Sequence, residues 1–101
     1  MADLITQAQT RDLFRAKLAY LAHRRSEREQ IVEGPDGPEF AWVGYEAGRM
    51  LALVNELRAK NGLAPVTLEQ VLRIEQSASG HSDYADKYAL RCAFLALGEE
   101  G

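Results

Sequence analysis

The residues best suited to chemistry lie in one short segment near the carboxyl end of the chain. His81, Ser82 and Asp83 are the residue types of a hydrolytic triad. Neighbours in sequence rarely reach one another in the geometry that a triad needs, and the chain has no nucleophile-elbow sequence. We therefore expect Ser82 or Asp83 to cap a helix, and we predict no catalytic residue. A small hydrolase or metal enzyme centred on His81 is the second alternative function.

The same segment raises the question of a metal site, because His81 and Asp83 are followed by the single cysteine, Cys92. Structural zinc normally takes four ligands in closely spaced pairs. Cys92 comes more than two helical turns after Asp83, and further ligands would have to come from Glu75 or His23. A buried cysteine that behaves as a small apolar residue fits this spacing better. We predict neither a metal nor a cofactor.

A set of large side chains at helical spacing follows directly. A helix that begins after Gly80 gathers four of them on one face, because residues three and four apart are neighbours: Tyr84, Lys87, Tyr88 and Arg91. Tyrosine and arginine are enriched at the centres of protein interfaces. We predict that this is a partner-binding face, extended by three further residues: His81, Asp83 and Trp42. The alternative is that the tyrosines are half-buried while the two cations extend along the surface.

The elements that must position these residues are helices. Apolar residues recur at helical spacing in four segments, which glycine and proline separate. We predict an all-α compact bundle of about four helices, the first two long and the last two shorter. Its length of 101 residues indicates one small helical domain over residues 1–101.

The first predicted helix runs from about Thr6 to about Gln30. Thr6 and Gln9 have the spacing of a capping box, in which each side chain bonds the backbone N–H of the other residue. The apolar stripe expected to face the core comprises Leu13, Phe14, Leu18 and Leu21, with Ala22 beside them.

The clearest break in the chain spans residues 34–38, which read Gly-Pro-Asp-Gly-Pro. Two interpretations are open: a short hairpin near residues 31–43, or a second helix with Pro38 as its first residue, where proline is well tolerated. We favour the helix, which would end at Asn61-Gly62. Its predicted stripe is Phe40, Val43, Ala47, Met50, Leu51, Val54 and Leu57. Gly44 and Gly48, one turn apart, predict the close approach of another backbone or of a ligand, and we favour another helix.

Two shorter helices complete the prediction. Thr67 and Gln70 form a second capping box, and the helix after it ends near Ser79-Gly80, with Leu68, Val71, Leu72 and Ala78 facing inward. The last helix begins at Ser82 or Asp83. Its predicted core stripe lies apart from the partner-binding face and comprises Ala89, Leu90, Ala93, Phe94 and Leu97.

Charge and composition narrow the classes of partner. The net charge of −3 argues against nucleic acid, although a nucleic-acid-binding accessory protein is the first alternative function. It would use the basic residues of the first helix: Arg11, Arg15, Arg24, Arg25 and Arg28. No window approaches the roughly 20 apolar residues that span a bilayer, so we predict no membrane partner. The expected partner is another protein or a second copy of the chain in a homodimer.

One cysteine is typical of a reducing compartment. Residues 1–7 lack the cationic start and apolar run of a secretory signal. The cytoplasm is therefore the expected location.

Two segments carry a likeness to known sequences. The stretch from Gly34 through Trp42, together with residues 80–84 (Gly-His-Ser-Asp-Tyr), resembles short uncharacterised proteins encoded by actinobacteria and their phages. The resemblance implies a small accessory or mobile-element protein and implies no catalytic residue. Together these observations predict a small cytoplasmic helical protein-interaction module without catalytic activity.

Overall fold

The computed structural model describes residues 6–27 and 38–99, and the side chains of all of these except 25–27 and 38–43. The described chain forms four helices: α1 (Gln7–Glu27), α2 (Pro38–Lys60), α3 (Leu68–Ala78) and α4 (Tyr84–Leu97). The predicted all-α bundle of four helices, with the first two long and the last two shorter, is confirmed.

Both predicted capping boxes are present. Before α1, the Gln9 backbone N–H donates to Thr6 Oγ1 over 3.1 Å, and the Thr6 backbone N–H donates to Gln9 Oε1 over 2.9 Å. Thr67 and Gln70 make the same reciprocal pair at the start of α3. Each box satisfies backbone donors that have no partner within the helix, so these helix starts follow from local sequence alone.

The second segment is a helix from Pro38 onward, and the hairpin interpretation is wrong for residues 39–43, which belong to α2. Proline has no N–H to lose at a first helical position. The helix ends at Lys60, where Gly62 takes a φ of 71° and the Leu63 backbone N–H donates to the Arg58 carbonyl over 2.8 Å. This glycine-dependent termination is the one predicted at Asn61-Gly62. Residues 31–37 lie outside the described part of the chain.

The helices run alternately up and down. Gln7 contacts Glu99 and Arg15 contacts Asp86, so α1 and α4 are antiparallel. Tyr84 contacts Glu46 at one end and Arg58 bonds the Leu95 carbonyl at the other, so α2 and α4 are parallel. α2 and α4 each pack against the three other helices, and α4 makes the more extensive contacts, which places many of its side chains in the middle of the bundle.

The connector between α2 and α3 is held by side-chain amide and guanidinium bonds. Asn55 Nδ2 donates to the Val66 carbonyl over 3.2 Å, and the Val66 backbone N–H donates to Asn55 Oδ1 over 2.9 Å. Arg58 Nε donates to the Ala64 carbonyl over 2.6 Å while another of its nitrogens reaches Leu95. Arg58 thereby ties the connector and the end of α4 to α2.

The buried core agrees with most of the predicted stripes. Fully or nearly fully buried apolar residues come from all four helices: Phe14, Leu18, Leu21, Ala47, Met50, Val54, Leu57, Val71, Ala78, Tyr88, Ala89, Cys92, Ala93 and Ala96. The prediction is wrong for Leu13, Ala22 and Leu68, which are exposed. It is also wrong in part for α4, where Leu90, Phe94 and Leu97 are only partly buried and lie outside the core cluster. The inward arc of α1 centres on Phe14 and Leu18, and Leu13 and Ala22 lie on either side of it. The side chains of Phe40 and Val43 lie outside the described set.

The glycine pair of α2 does not seat another helix among the described residues. A Cβ built on Gly44 or Gly48 would meet no described atom within 4 Å. The prediction of close approach there is therefore wrong: the other helices pack on the face of α2 that carries Ala47, Met50 and Val54. Adding a methyl group at either glycine requires no rearrangement of the described neighbours.

Candidate functional site

The most unusual feature of the interior is a polar cluster where α2, α3 and α4 meet. The Tyr84 hydroxyl lies 2.9 Å from Glu46 Oε1 and 3.3 Å from Glu75 Oε2. Both glutamates are buried, with 5% and 8% of their surfaces exposed. A phenol has a single proton to donate, and the shorter contact assigns it to Glu46. One side chain of α4 therefore links the two helices that pack beside it.

Burial and charge act in the same direction on Tyr84. The pKa of the Tyr84 phenol is raised well above its usual value, chiefly because burial disfavours the phenolate and then because the Glu46 and Glu75 carboxylates lie close to it. The hydroxyl therefore stays protonated and remains a donor. Its chemistry is that of a structural hydrogen bond.

Tyr88, one turn further along α4, is fully buried. Its ring meets the Tyr84 ring edge to face, with centroids 5.7 Å apart and an interplanar angle of 66°, which is a favourable aromatic geometry. Its hydroxyl has no hydrogen-bond partner among the described residues. Desolvation by burial is the main cause that raises the pKa of the Tyr88 phenol, and the nearby Glu46 carboxylate adds to the effect.

The next residue on this inward face is Cys92, which is also fully buried. Desolvation raises the pKa of its thiol, and the nearby Glu46 carboxylate adds to the effect. A thiol held in its protonated form away from solvent is neither a nucleophile nor a metal ligand.

The predicted partner-binding face is thus divided between core and surface. Tyr84 is half-buried and Tyr88 fully buried, whereas Lys87 is partly exposed and Arg91 is exposed. The prediction that the core does not require these residues is wrong for Tyr88. The rest of the inward face of α4 is made of small residues, chiefly Ala89 and Ala93, so the tyrosine rings supply the volume that fills the centre of the bundle.

Sequence reasoning missed Glu46 and considered Glu75 only as a possible further metal ligand. Buried carboxylates are rare unless they have partners. The available signal was position: Glu46 stands beside Ala47 in the apolar stripe of α2, and Glu75 follows Val71 by one turn in that of α3.

The exposed part of the predicted face borders an open groove between α3 and α4. The groove has a volume of about 380 Å³ and is lined by Ile74, Leu90, Arg91, Phe94, Leu95 and Glu99. Its apolar side chains are partly exposed, and Arg91 and Glu99 supply its only charges among those residues. We call this feature the α3–α4 groove. It combines apolar surface with one cation of the predicted face.

The two charges of the groove differ in their contacts. Glu99 Oε2 accepts a hydrogen bond of 3.0 Å from Gln7 Nε2 of α1. Arg91 makes no hydrogen bond or ion pair with the described residues, and its guanidinium stands at the edge of the apolar surface. The groove therefore offers one positively charged group with unused donors.

The residues predicted to extend the face lie at the start of α4 or outside the described side chains. Asp83 occupies the N-cap position but makes no side-chain capping bond there. His81 Nδ1 lies 3.5 Å from Lys87 Nζ. Trp42 belongs to α2, and its side chain is not among those described. His81 thus neighbours the cationic edge of α4.

This geometry gives little support to either alternative function, the small hydrolase or metal enzyme and the nucleic-acid-binding protein. No group of three or more histidine, cysteine, aspartate or glutamate side chains is arranged to hold a metal within the described part of the chain. Of the predicted basic track, Arg15 is paired with Asp86 at 2.9 Å and Arg11 lies 3.9 Å from Asp12. The Arg25 side chain and Arg28 lie outside the described set. Carboxylates therefore partly neutralise two of the five arginines of the predicted nucleic-acid-binding surface.

Within residues 6–27 and 38–99, none of the helices has the length and apolar content needed to cross a bilayer. No family model, no curated protein and no solved structure matches this chain.

Proposed function

We propose that this protein is a small, non-catalytic, cytoplasmic interaction module that binds an amphipathic helix of a protein partner in the α3–α4 groove. The observation that carries the proposal is Arg91, an exposed guanidinium without a partner among the described residues, at the edge of an open apolar groove. Insertion of an apolar helix face into such a groove is a recurring mode of recognition.

The shape and lining of the groove favour a helix over a small molecule. A volume of about 380 Å³ that is open to solvent suits a few apolar anchor side chains. Leu90 and Phe94 are one turn apart on α4, and Ile74 faces them from α3. Anchors spaced by three or four residues on a partner helix would match this spacing.

The charge of the groove favours an acidic position in the partner. Glu99 keeps its negative charge while it accepts a hydrogen bond from Gln7, so among the lining residues Arg91 is the cation that a partner can reach. Lys87 lies one turn before Arg91 and adds a second cation on the same side of α4. Guanidinium binds carboxylate through two parallel hydrogen bonds, so the partner helix should carry aspartate or glutamate beside its apolar anchors.

The polar cluster beneath this surface supports binding without taking part in it. Tyr84 links α4 to Glu46 of α2 and Glu75 of α3, which fixes the two helices that form the groove. A surface held in its binding conformation loses less entropy when the partner binds.

Two further features favour binding over catalysis. His81 Nδ1 lies 3.5 Å from the ammonium of Lys87, and no carboxylate among the described residues bonds the ring to orient it. The single thiol is buried and protonated, and such a cysteine suits the reducing cytoplasm. A small accessory role agrees with what the resemblance to actinobacterial and phage proteins implies.

The test is a selection of helix-forming peptides displayed on phage against the immobilised full chain, followed by affinity measurements on the peptides recovered. We expect an acidic residue one turn from the apolar anchors. Arg91→Glu should weaken binding of these peptides at least about tenfold, since a hydrogen bond to a charged group contributes about 1.5–3 kcal/mol.

The matched control is Arg49→Glu, which makes the same charge change at an exposed position of α2 and should leave affinity unchanged. Peptides that bind Arg91→Glu as tightly as the natural chain would overturn the proposal. So would a recovered set without any preference for acidic residues.

A further inference from the structure

The outer surface of α1 carries a second set of apolar side chains, separate from those that face the core. Leu13 is 44% exposed and Tyr20 is 51% exposed. Ala16, between them, is exposed as well. A helix that is apolar on two sides normally has a packing partner on both, and α1 packs only on its inner side among the described residues.

The exposed residues of this surface follow the spacing of a coiled-coil seam. Gln9, Leu13, Ala16, Tyr20 and His23 alternate in steps of four and three, which is the a/d pattern of a heptad. All five are exposed. We call them the outer seam of α1.

The buried stripe of α1 leaves room for a helix on the outer seam. That stripe consists of Thr10, Phe14, Leu18 and Leu21. At about 100° per residue its centre lies roughly a third of a turn from the seam. A second helix can therefore approach the outer seam while α1 stays packed against α4.

The charges beside the seam identify the occupant and its direction. Asp12 precedes Leu13 at a g position, and Lys17 follows Ala16 at an e position. In a parallel pair of identical helices, g of one copy faces the e position five residues later in the other. Asp12 would then face Lys17 of the second copy, and symmetry makes this contact twice.

Both charged groups are accessible for such a contact. The Asp12 side chain is 66% exposed, and its one described ion-pair partner, Arg11 Nε, lies 3.9 Å away. Lys17 Nζ lies 5.5 Å from the centre of the Tyr20 ring, which holds the ammonium beside the seam. An antiparallel pair would instead bring the two Lys17 side chains together and leave Asp12 unpaired.

From this spacing and charge pattern we infer that a second copy of the chain binds along the outer seam of α1 in parallel orientation. The small Ala16 allows the helices to approach closely at the centre, with Leu13 and Tyr20 packing on either side. The inferred dimer uses the outer surface of α1 and would leave two α3–α4 grooves free.

The experiment is sedimentation equilibrium on the full chain from low to several hundred micromolar. We expect a monomer–dimer equilibrium in the natural chain. Asp12→Lys and Lys17→Glu should each weaken association about tenfold, because either change turns two attractive pairs into two repulsive ones. Both positions are accessible to solvent, so helical circular dichroism should be unchanged.

Mixing the two variants provides the decisive arm. In an equal mixture, the two lysines of one chain face two acidic side chains of the other, so association should recover. Arg73→Glu, on the exposed side of α3, is the control and should associate like the natural chain.

Three outcomes would overturn the inference. They are a strict monomer at several hundred micromolar, single variants that associate as well as the natural chain, and a mixture that shows no recovery.

Discussion

At the scale of single residues, the two tyrosines of α4 lie one turn apart and differ in the hydrogen bonding of their hydroxyls. The Tyr84 hydroxyl contacts two buried carboxylates, whereas the buried Tyr88 hydroxyl has no partner among the described residues. A buried donor stabilises the fold only when it is paired. The same chemical change, removal of one hydroxyl, should therefore have different effects at the two positions.

Tyr84→Phe should lower the free energy of unfolding by about 1–3 kcal/mol, because it leaves the buried Glu46 carboxylate without its phenolic donor. Urea denaturation followed by circular dichroism measures the change. Tyr20→Phe is the matched control, since Tyr20 is half-exposed, and it should change stability by less than about 0.5 kcal/mol. Equal stability of Tyr84→Phe and the natural chain would contradict the role given to the cluster.

Tyr88→Phe should leave stability unchanged or raise it by up to about 1 kcal/mol, because it removes a desolvated hydroxyl and keeps the ring. Tyr88→Ala should cost about 3–5 kcal/mol through the cavity that it creates. The same denaturation series compares the two variants. A large loss of stability in Tyr88→Phe would show that the hydroxyl has a partner.

Alkaline pH should unfold the domain. The pKa values of Tyr84 and Tyr88 are raised in the folded chain, chiefly by burial. Above about pH 10 the unfolded chain releases these protons while the folded chain retains them, so stability falls as pH rises and is unaffected by these groups below that value. The phenolate absorbance of the two residues should appear together with the loss of helical signal. Ionisation of all tyrosines in a still-folded chain would be the opposite result.

At the scale of elements, helix starts and ends were predictable because their signals are local. The Thr6 and Thr67 capping boxes, Pro38 at a helix start and Gly62 at a helix end each act within a few residues of the chain. The orientation of α4 was not predictable in the same way. The burial of Tyr88 and Glu75 depends on packing against other helices, and no local sequence pattern predicts that packing.

The glycines of α2 illustrate the same limit. Their spacing indicates a close helix contact, yet the described structure leaves the space beside Gly48 open. Gly48→Ala should therefore raise the free energy of unfolding by about 0.5–1 kcal/mol through helix propensity, as thermal or urea denaturation will measure.

Gly98→Ala is the opposite case and serves as the control. Gly98 has a φ of 72°, and a Cβ there would lie 2.8 Å from Leu63 Cδ1, so the substitution should lower stability. A loss of stability in Gly48→Ala would restore the interpretation of a close contact at that position.

At the scale of the whole molecule, the contacts that join the helices lie inside the bundle and the proposed binding surface lies outside it. Tyr84 and the buried glutamates join α2, α3 and α4 from within, while Arg91 and the apolar lining of the α3–α4 groove face solvent. The spacing of Tyr84 and Tyr88 predicts that both belong to a partner-binding face, but Tyr88 is buried and Tyr84 is half-buried. In the proposed mode of binding, the cationic residues of that face, Lys87 and Arg91, meet the partner.

The most direct test of this account is an amide chemical-shift map of the isotope-labelled full chain, titrated with an acidic amphipathic peptide recovered in the selection. We predict that the largest perturbations fall on Ile74, Leu90 and Phe94 around Arg91, with helical content unchanged, and that Arg91→Glu abolishes them. Perturbations confined to α1 or the exposed face of α2, or a map unchanged by Arg91→Glu, would contradict the claim that the α3–α4 groove is the binding site.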